Sequence, residues 1–149
     1  MIYVEPHPQF PQVELLEQTA NTVLDHQAVK DDLIISIILT DDEQLRELNR
    51  DYLGIDAPTD VLSFPASESD PETGARYLGD ILISVSRAVE QAISAGHELA
   101  GEVQLLVVHG VLHLLGHDHA EAEEKARMWT AQAEILERLG LGHIKVREE

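Results

Sequence analysis

The run from His97 to Leu115 (HELAGEVQLLVVHGVLHLL) is apolar on nearly every helical face. A surface helix shows a single apolar stripe, whereas a helix apolar all round has to be covered on most sides. The rest of the chain must therefore supply the layers that bury it. No window approaches the ~18 consecutive apolar residues of a membrane span, so the cover is expected to be protein. The 149 residues are the size of one ordinary domain. Roughly two thirds of the unfolded surface can be buried at this length. Apolar residues at 44% suit a globular chain, and residues 1–149 read as a single domain.

Shorter signals fill in the layers. Met1 to Glu5 reads as a short strand. Pro11 to about Gln27 reads as an amphipathic helix, with Val13, Leu16, Ala20 and Val23 at helical spacing. Leu33 to Leu39 (LIISIIL) suits a buried strand. Thr40 followed by Glu43 predicts a capping box, opening a helix that runs to about Tyr52. Val61 to Phe64 predicts a strand ended by Pro65, Ser67 to Arg76 a polar connection, and Leu78 to Val85 another strand. A helix near Ser86 to Ala95 stops at Gly96. After the long apolar helix, Gly116 fits the left-handed position that ends it. Ala120 to Leu139 predicts a last helix with Trp129, Gln132, Leu136 and Leu139 along one stripe, followed by a frayed tail to Glu149. The fold class is α+β: a mixed sheet of about four strands covered by about five helices.

The apolar helix also carries the chemistry, in the segment H109-G-V-L-H113-L-L-G116-H117-D118-H119. Helical positions four apart stand one above the other, so His109 and His113 point at one ion. A turn at Gly116 brings His119 back as third ligand, with His117 as the alternative. Asp118 is a candidate partner that orients a ligand imidazole. Three imidazoles leave a fourth position to water, the layout of a catalytic zinc site at the end of a buried helix. The absence of cysteine excludes a thiolate site and disulfides. Nickel, copper and cobalt suit three imidazoles as well.

The spacing is that of the metzincin peptidases, H-E-x-x-H-x-x-G-x-x-H. Where those enzymes have their general-base Glu, this chain has Gly110. The zinc scaffold is present and the peptide-cleaving base is not. The net charge of −18 repels nucleic acid and membrane surfaces as a whole-molecule field, though not at a cleft holding a divalent ion. No signal-peptide pattern opens the chain, and the expected location is cytoplasmic.

Three blocks in order resemble the YbeY endoribonuclease family. HGVLHLLGHDH is similar to its H-G-x-L-H-L-x-G-[Tyr/His]-D-H signature. L48-N-R-D-Y-L-G-I-D-A-P-T-D-V-L-S-F-P65 is similar to L-N-x-x-Y-R-x-x-D-x-P-T-D-V-L-S-F-P. L78-G-D-I81 resembles the family's L-G-D-I strand. The resemblance implies a compact α/β-type domain with His109, His113 and His119 as metal ligands. It implies single-strand endoribonuclease activity in late 16S ribosomal RNA 3′-end maturation and ribosome quality control. The implied partners are ribosomal RNA and the small subunit or its proteins, with no membrane.

One position departs. The family has Arg after the aromatic of N-x-x-Y-R, and this chain has Leu53, which cannot make a bidentate phosphate contact. Arg50 and Arg76 are the nearest replacements, and Arg76 is expected to supply part of the lost charge. Ser63 is expected to face the cleft as a substrate contact, since alternation on a strand opposes it to Leu62 and Phe64. Thr59 and Asp60 read as turn residues after Pro58. Two other readings stay open: a metzincin-like hydrolase of another substrate, and a ribosome-assembly or RNA-chaperone partner with a largely structural metal.

Overall fold

A computed structural model describes residues 1–66, 68–69 and 71–144. The elements run β1 (Ile2–Glu5), α1 (Val13–His26), β2 (Leu33–Thr40), α2 (Asp42–Leu53), β3 (Val61–Pro65), β4 (Arg76–Ser84), α3 (Val85–Ala95), α4 (Leu99–Leu114) and α5 (Ala122–Arg138). The expected α+β class holds, with five helices and a four-stranded mixed sheet. The expected frayed tail from Lys145, and the loop positions Ser67 and Asp70, lie outside the described residues.

The sheet order is β1-β2-β4-β3. β2 pairs in parallel with β1 and β4, and β3 runs antiparallel to β4 as an edge. The β-branched run of β2 makes it a natural central strand. Its burial nevertheless alternates. Leu33, Ile35, Ile37 and Leu39 are buried, and Ile34, Ser36, Ile38 and Thr40 are half-buried. The two faces of the sheet are therefore covered unequally. One face carries the main core with α1 and α4. The other carries a small cluster in which Leu45 of α2 meets Leu62 and Leu82.

α4 is the buried helix its sequence demands. Twelve of its sixteen residues are buried, against α1, α3, α5, β3 and β4. At Gly110 the helix lies directly on the sheet: a Cβ there would stand 2.8 Å from Cγ2 of Ile81. Packing thus gives Gly110 a reason of its own. A glutamate at 110, the peptidase base, would collide with β4.

Several boundaries differ from expectation for local reasons. α2 is capped by Asp41, whose carboxylate accepts from the Gln44 amide at 3.2 Å. Thr40 is instead the last residue of β2, paired with Ser84, and its hydroxyl donates to the Gln44 side chain. α4 begins at Leu99, and His97 lies ahead of it. The core stripe of α5 is Met128, Ala131, Gln132, Ile135 and Leu136, rotated from the expected one because Trp129 turns toward the histidines of α4. Among the described residues, no helix is long and apolar enough to cross a membrane.

Candidate metal centre

Helical spacing stacks His109 and His113, with ring centroids 4.6 Å apart and Nε2 atoms at 3.1 Å. The helix then ends in a tight double-bonded turn. His117 N–H donates to Leu112 O and Gly116 N–H to His113 O, both at 3.0 Å. Gly116 takes φ +99°, which a side chain would resist. The turn reverses the chain and returns His119 to the pair, 5.3 Å from the His113 ring and 5.9 Å from the His109 ring. One ring nitrogen from each of the three lies within 4.8 Å of the others. His117 goes elsewhere: its Nε2 is 2.7 Å from Oε1 of Gln27, at the end of α1.

The protonation state suits a cation. Burial pushes the His109 pKa down to about 4, and the neighbouring His113 adds to the effect. Burial also lowers His113, with His119 contributing. Neutral imidazoles are what a metal requires. On the far side of the His109 ring, Nδ1 lies 3.2 Å from Oε1 of Gln132. An amide oxygen only accepts, so Nδ1 carries the proton and Nε2 presents a lone pair toward His113. Two nitrogens bound to one tetrahedral ion at ~2.05 Å stand ~3.4 Å apart, close to the 3.1 Å seen. His109, His113 and His119 can hold a metal ion.

The surroundings complete a cleft of about 330 Å³ lined by the three histidines, Leu53, Thr59, Asp60, Val61, Leu62, Ser63 and Pro65. Ser63 lies on the α4 side of β3, and its hydroxyl is 3.4 Å from Gly110 O. Asp60 is buried at 4% exposure, accepts from Gln91 Nε2 at 3.3 Å, and raises the His109 pKa against the effect of burial. Trp129 closes the α5 side, 6.3 Å from the His109 ring and 5.8 Å from the His119 ring. Asp118 is exposed, and its carboxylate accepts from the His119 amide at 2.7 Å. Its visible bond holds the loop, while Gln132 reaches a ring nitrogen. Arg76 is absent from the lining and pairs with Asp31 at 3.3 Å. Arg50 pairs with Asp51 at 3.2 Å.

By local pattern Thr59 and Asp60 are turn residues and Gln132 is one residue of a helical stripe, whereas the structure puts the first two in the cleft wall and the third on the His109 ring. The signal for Gln132 was present, as an amide in an otherwise apolar stripe. Asp60 gives no comparable sign, since an acid after Pro-Thr reads as a turn.

Comparisons with known proteins identify the family. The family model described as Endoribonuclease YbeY matches residues 6–140. An Endoribonuclease YbeY of Roseiflexus sp. is 43% identical over 144 residues, covering 93% of this chain and 90% of the relative. One from Moorella thermoacetica is 46% identical over 143 residues, covering 89% and 92%. The solution structure of TM1509 from Thermotoga maritima superposes with a TM-score of 0.60 at 25% identity, covering 100% of this chain and 99% of that one. A matching family model across most of the chain, relatives above 40% identity and a shared fold place the chain in the YbeY endoribonuclease family.

Proposed function

We propose that residues 1–149 form a single-domain, zinc-dependent, single-strand-specific endoribonuclease of the cytoplasm. Its substrate is the small-subunit ribosomal RNA precursor, in late 16S 3′-end maturation and ribosome quality control. Family membership carries the endoribonuclease part. The observation that carries the metal-dependent part is the convergence of His109, His113 and His119 on one open cleft.

A divalent ion held there supplies Lewis acidity toward a phosphodiester when bound. The chain's own residues do the rest. Gln132 fixes the tautomer of His109 and directs Nε2 into the site. Asp60 adds negative potential at His109, which favours a cation. Trp129 sets its ring edge-on against the His109 and His119 rings and so walls the α5 side of the site. Ser63 sets a hydroxyl on the cleft wall as a substrate contact. Arg76, ion-paired away from the cleft, takes no part in the contact we propose.

The experiment replaces His113 with Ala in cells that depend on this chain, with folding of the variant checked by circular dichroism. Unprocessed 16S 3′ ends are expected to accumulate. Normal 3′ ends made by a folded His113→Ala protein would overturn the proposal and favour an assembly partner with a structural metal, a role the charge of −18 suits through basic ribosomal proteins.

A further inference from the structure

The cleft lies beside a concentration of exposed apolar side chains. Among the described residues, the exposed large apolar side chains include Tyr52, Leu53 and Ile55, all within four positions at the end of α2. Tyr52 is 69% exposed and Leu53 58%. Gly54 ends the helix in a left-handed turn, φ +73°. Leu53 is part of the cleft wall together with His109, His113 and His119. The Tyr52 ring meets the Phe64 ring edge-on, with centroids 5.6 Å apart at 65°. Phe64 lies on the α2 face of β3, opposite Ser63, so the aromatic pair stands across this edge strand from the Ser63 wall, and Leu53, next to Tyr52 in the chain, is its link to the cleft.

The cations nearby are committed. Arg46 is bonded to Asp56 at 2.9 Å and Arg50 to Asp51 at 3.2 Å. Neither Lys nor Arg is among the described residues that line the cleft. An acidic chain with this wall has little to offer a phosphate backbone and much to offer the face of a base.

We propose that Tyr52 and Leu53 form a stacking subsite for one unpaired nucleobase of the RNA beside the scissile position. The inference rests on the endoribonuclease reading and deepens it. A base in a duplex is already stacked and cannot enter, so the subsite itself selects single strands. Binding through a base rather than through phosphates should also depend only weakly on salt.

The test uses the full chain loaded with zinc and a fluorescently labelled single-stranded RNA. Tyr52→Ala is expected to raise KM about tenfold with kcat within about twofold, and Tyr52→Phe and Tyr52→Trp to restore it. Abasic substitution at successive positions around the cut should find one position that raises KM for the wild type and adds nothing in Tyr52→Ala. Binding of the same RNA by fluorescence anisotropy is a second readout, in which Tyr52→Ala is expected to be about tenfold weaker whether or not the RNA is cut. A wild type that binds but does not cleave would defeat the endoribonuclease reading alone. Wild-type KM and affinity for naked RNA in Tyr52→Ala and Leu53→Ala would defeat the subsite, the outcome expected if the patch docks a protein.

Discussion

Histidine stands against the core both just ahead of α4 and near its C-terminal end, and the two places treat it differently. Ahead of the first turn, His97 places Nε2 2.7 Å from Oε1 of Glu102, whose side chain is fully buried. That pair is closed within the chain. At the other end, His109 and His113 face one another through their Nε2 atoms, His119 joins them, and the cleft opens beside them. The same residue type beside one helix is structural where a carboxylate completes it. Where three imidazoles are aimed at one point, it is kept for a ligand.

This contrast predicts opposite mutational profiles. The largest effect on stability belongs to the closed end. Glu102→Ala takes away the hydrogen-bond partner of the buried His97 side chain and leaves a void in the core, and should cost about 3 kcal/mol. Urea unfolding checks it, and the variant should keep wild-type kcat wherever it remains folded. A loss of cleavage from a folded Glu102→Ala protein would erase the distinction between the two ends.

The open end should show itself in pH. The folded pKa of His109 lies at about 4, below its ordinary 6.5, because of burial. The unfolded chain therefore takes up this proton first as pH falls. The metal-free protein is fully stable with respect to this group above pH 6.5 and loses stability between 6.5 and about 4. At 1.36 kcal/mol per unit the loss is on the order of 3 kcal/mol. His109→Gln should flatten that slope in denaturation midpoints measured across the window. An unchanged slope would mean that burial does not govern this histidine.

The smallest effect sharpens the edge of the open end. Arg76 and Arg50 are both paired with aspartates, and neither lines the cleft. Arg76→Ala and Arg50→Ala should each leave RNA cleavage within about twofold, as expected for exposed ion pairs. A tenfold loss in Arg76→Ala alone would restore it as the replacement for the arginine that Leu53 displaces.

What was legible in the sequence was what depends on neighbours along the chain. His109 and His113 are one helical turn apart, and Gly116 suits the left-handed turn that returns His119, so the histidine cluster was legible locally, while the choice of His119 over His117 was not: it rests on the bond that takes His117 to Gln27. β2 and α4 were legible because their apolar runs leave few alternatives. Of the cleft wall, strand alternation marked Ser63 and nothing marked the rest. Asp60 and Val61 reach the histidines because β3 is the antiparallel edge beside β4 and α4 crosses that pair. Leu53 reaches them because α2 ends at that edge. The sheet order β1-β2-β4-β3 decides both, and no local pattern encodes it. The cap expected at Thr40 falls one residue later for a smaller reason: the β2 ladder extends through Thr40, which leaves the capping position to Asp41.

On the function proposed above, three histidines hold the ion on which RNA cleavage depends. Zinc content per chain and cleavage of single-stranded RNA test this, taken before chelation, after chelation and after zinc is restored, in the wild type, His117→Ala and His119→Ala. One zinc per chain is expected, with cleavage lost and regained as the metal is, the same in His117→Ala, and neither zinc nor cleavage in His119→Ala. Full cleavage by the metal-free wild type, or a His119→Ala protein that keeps its zinc and cleaves normally, would contradict it.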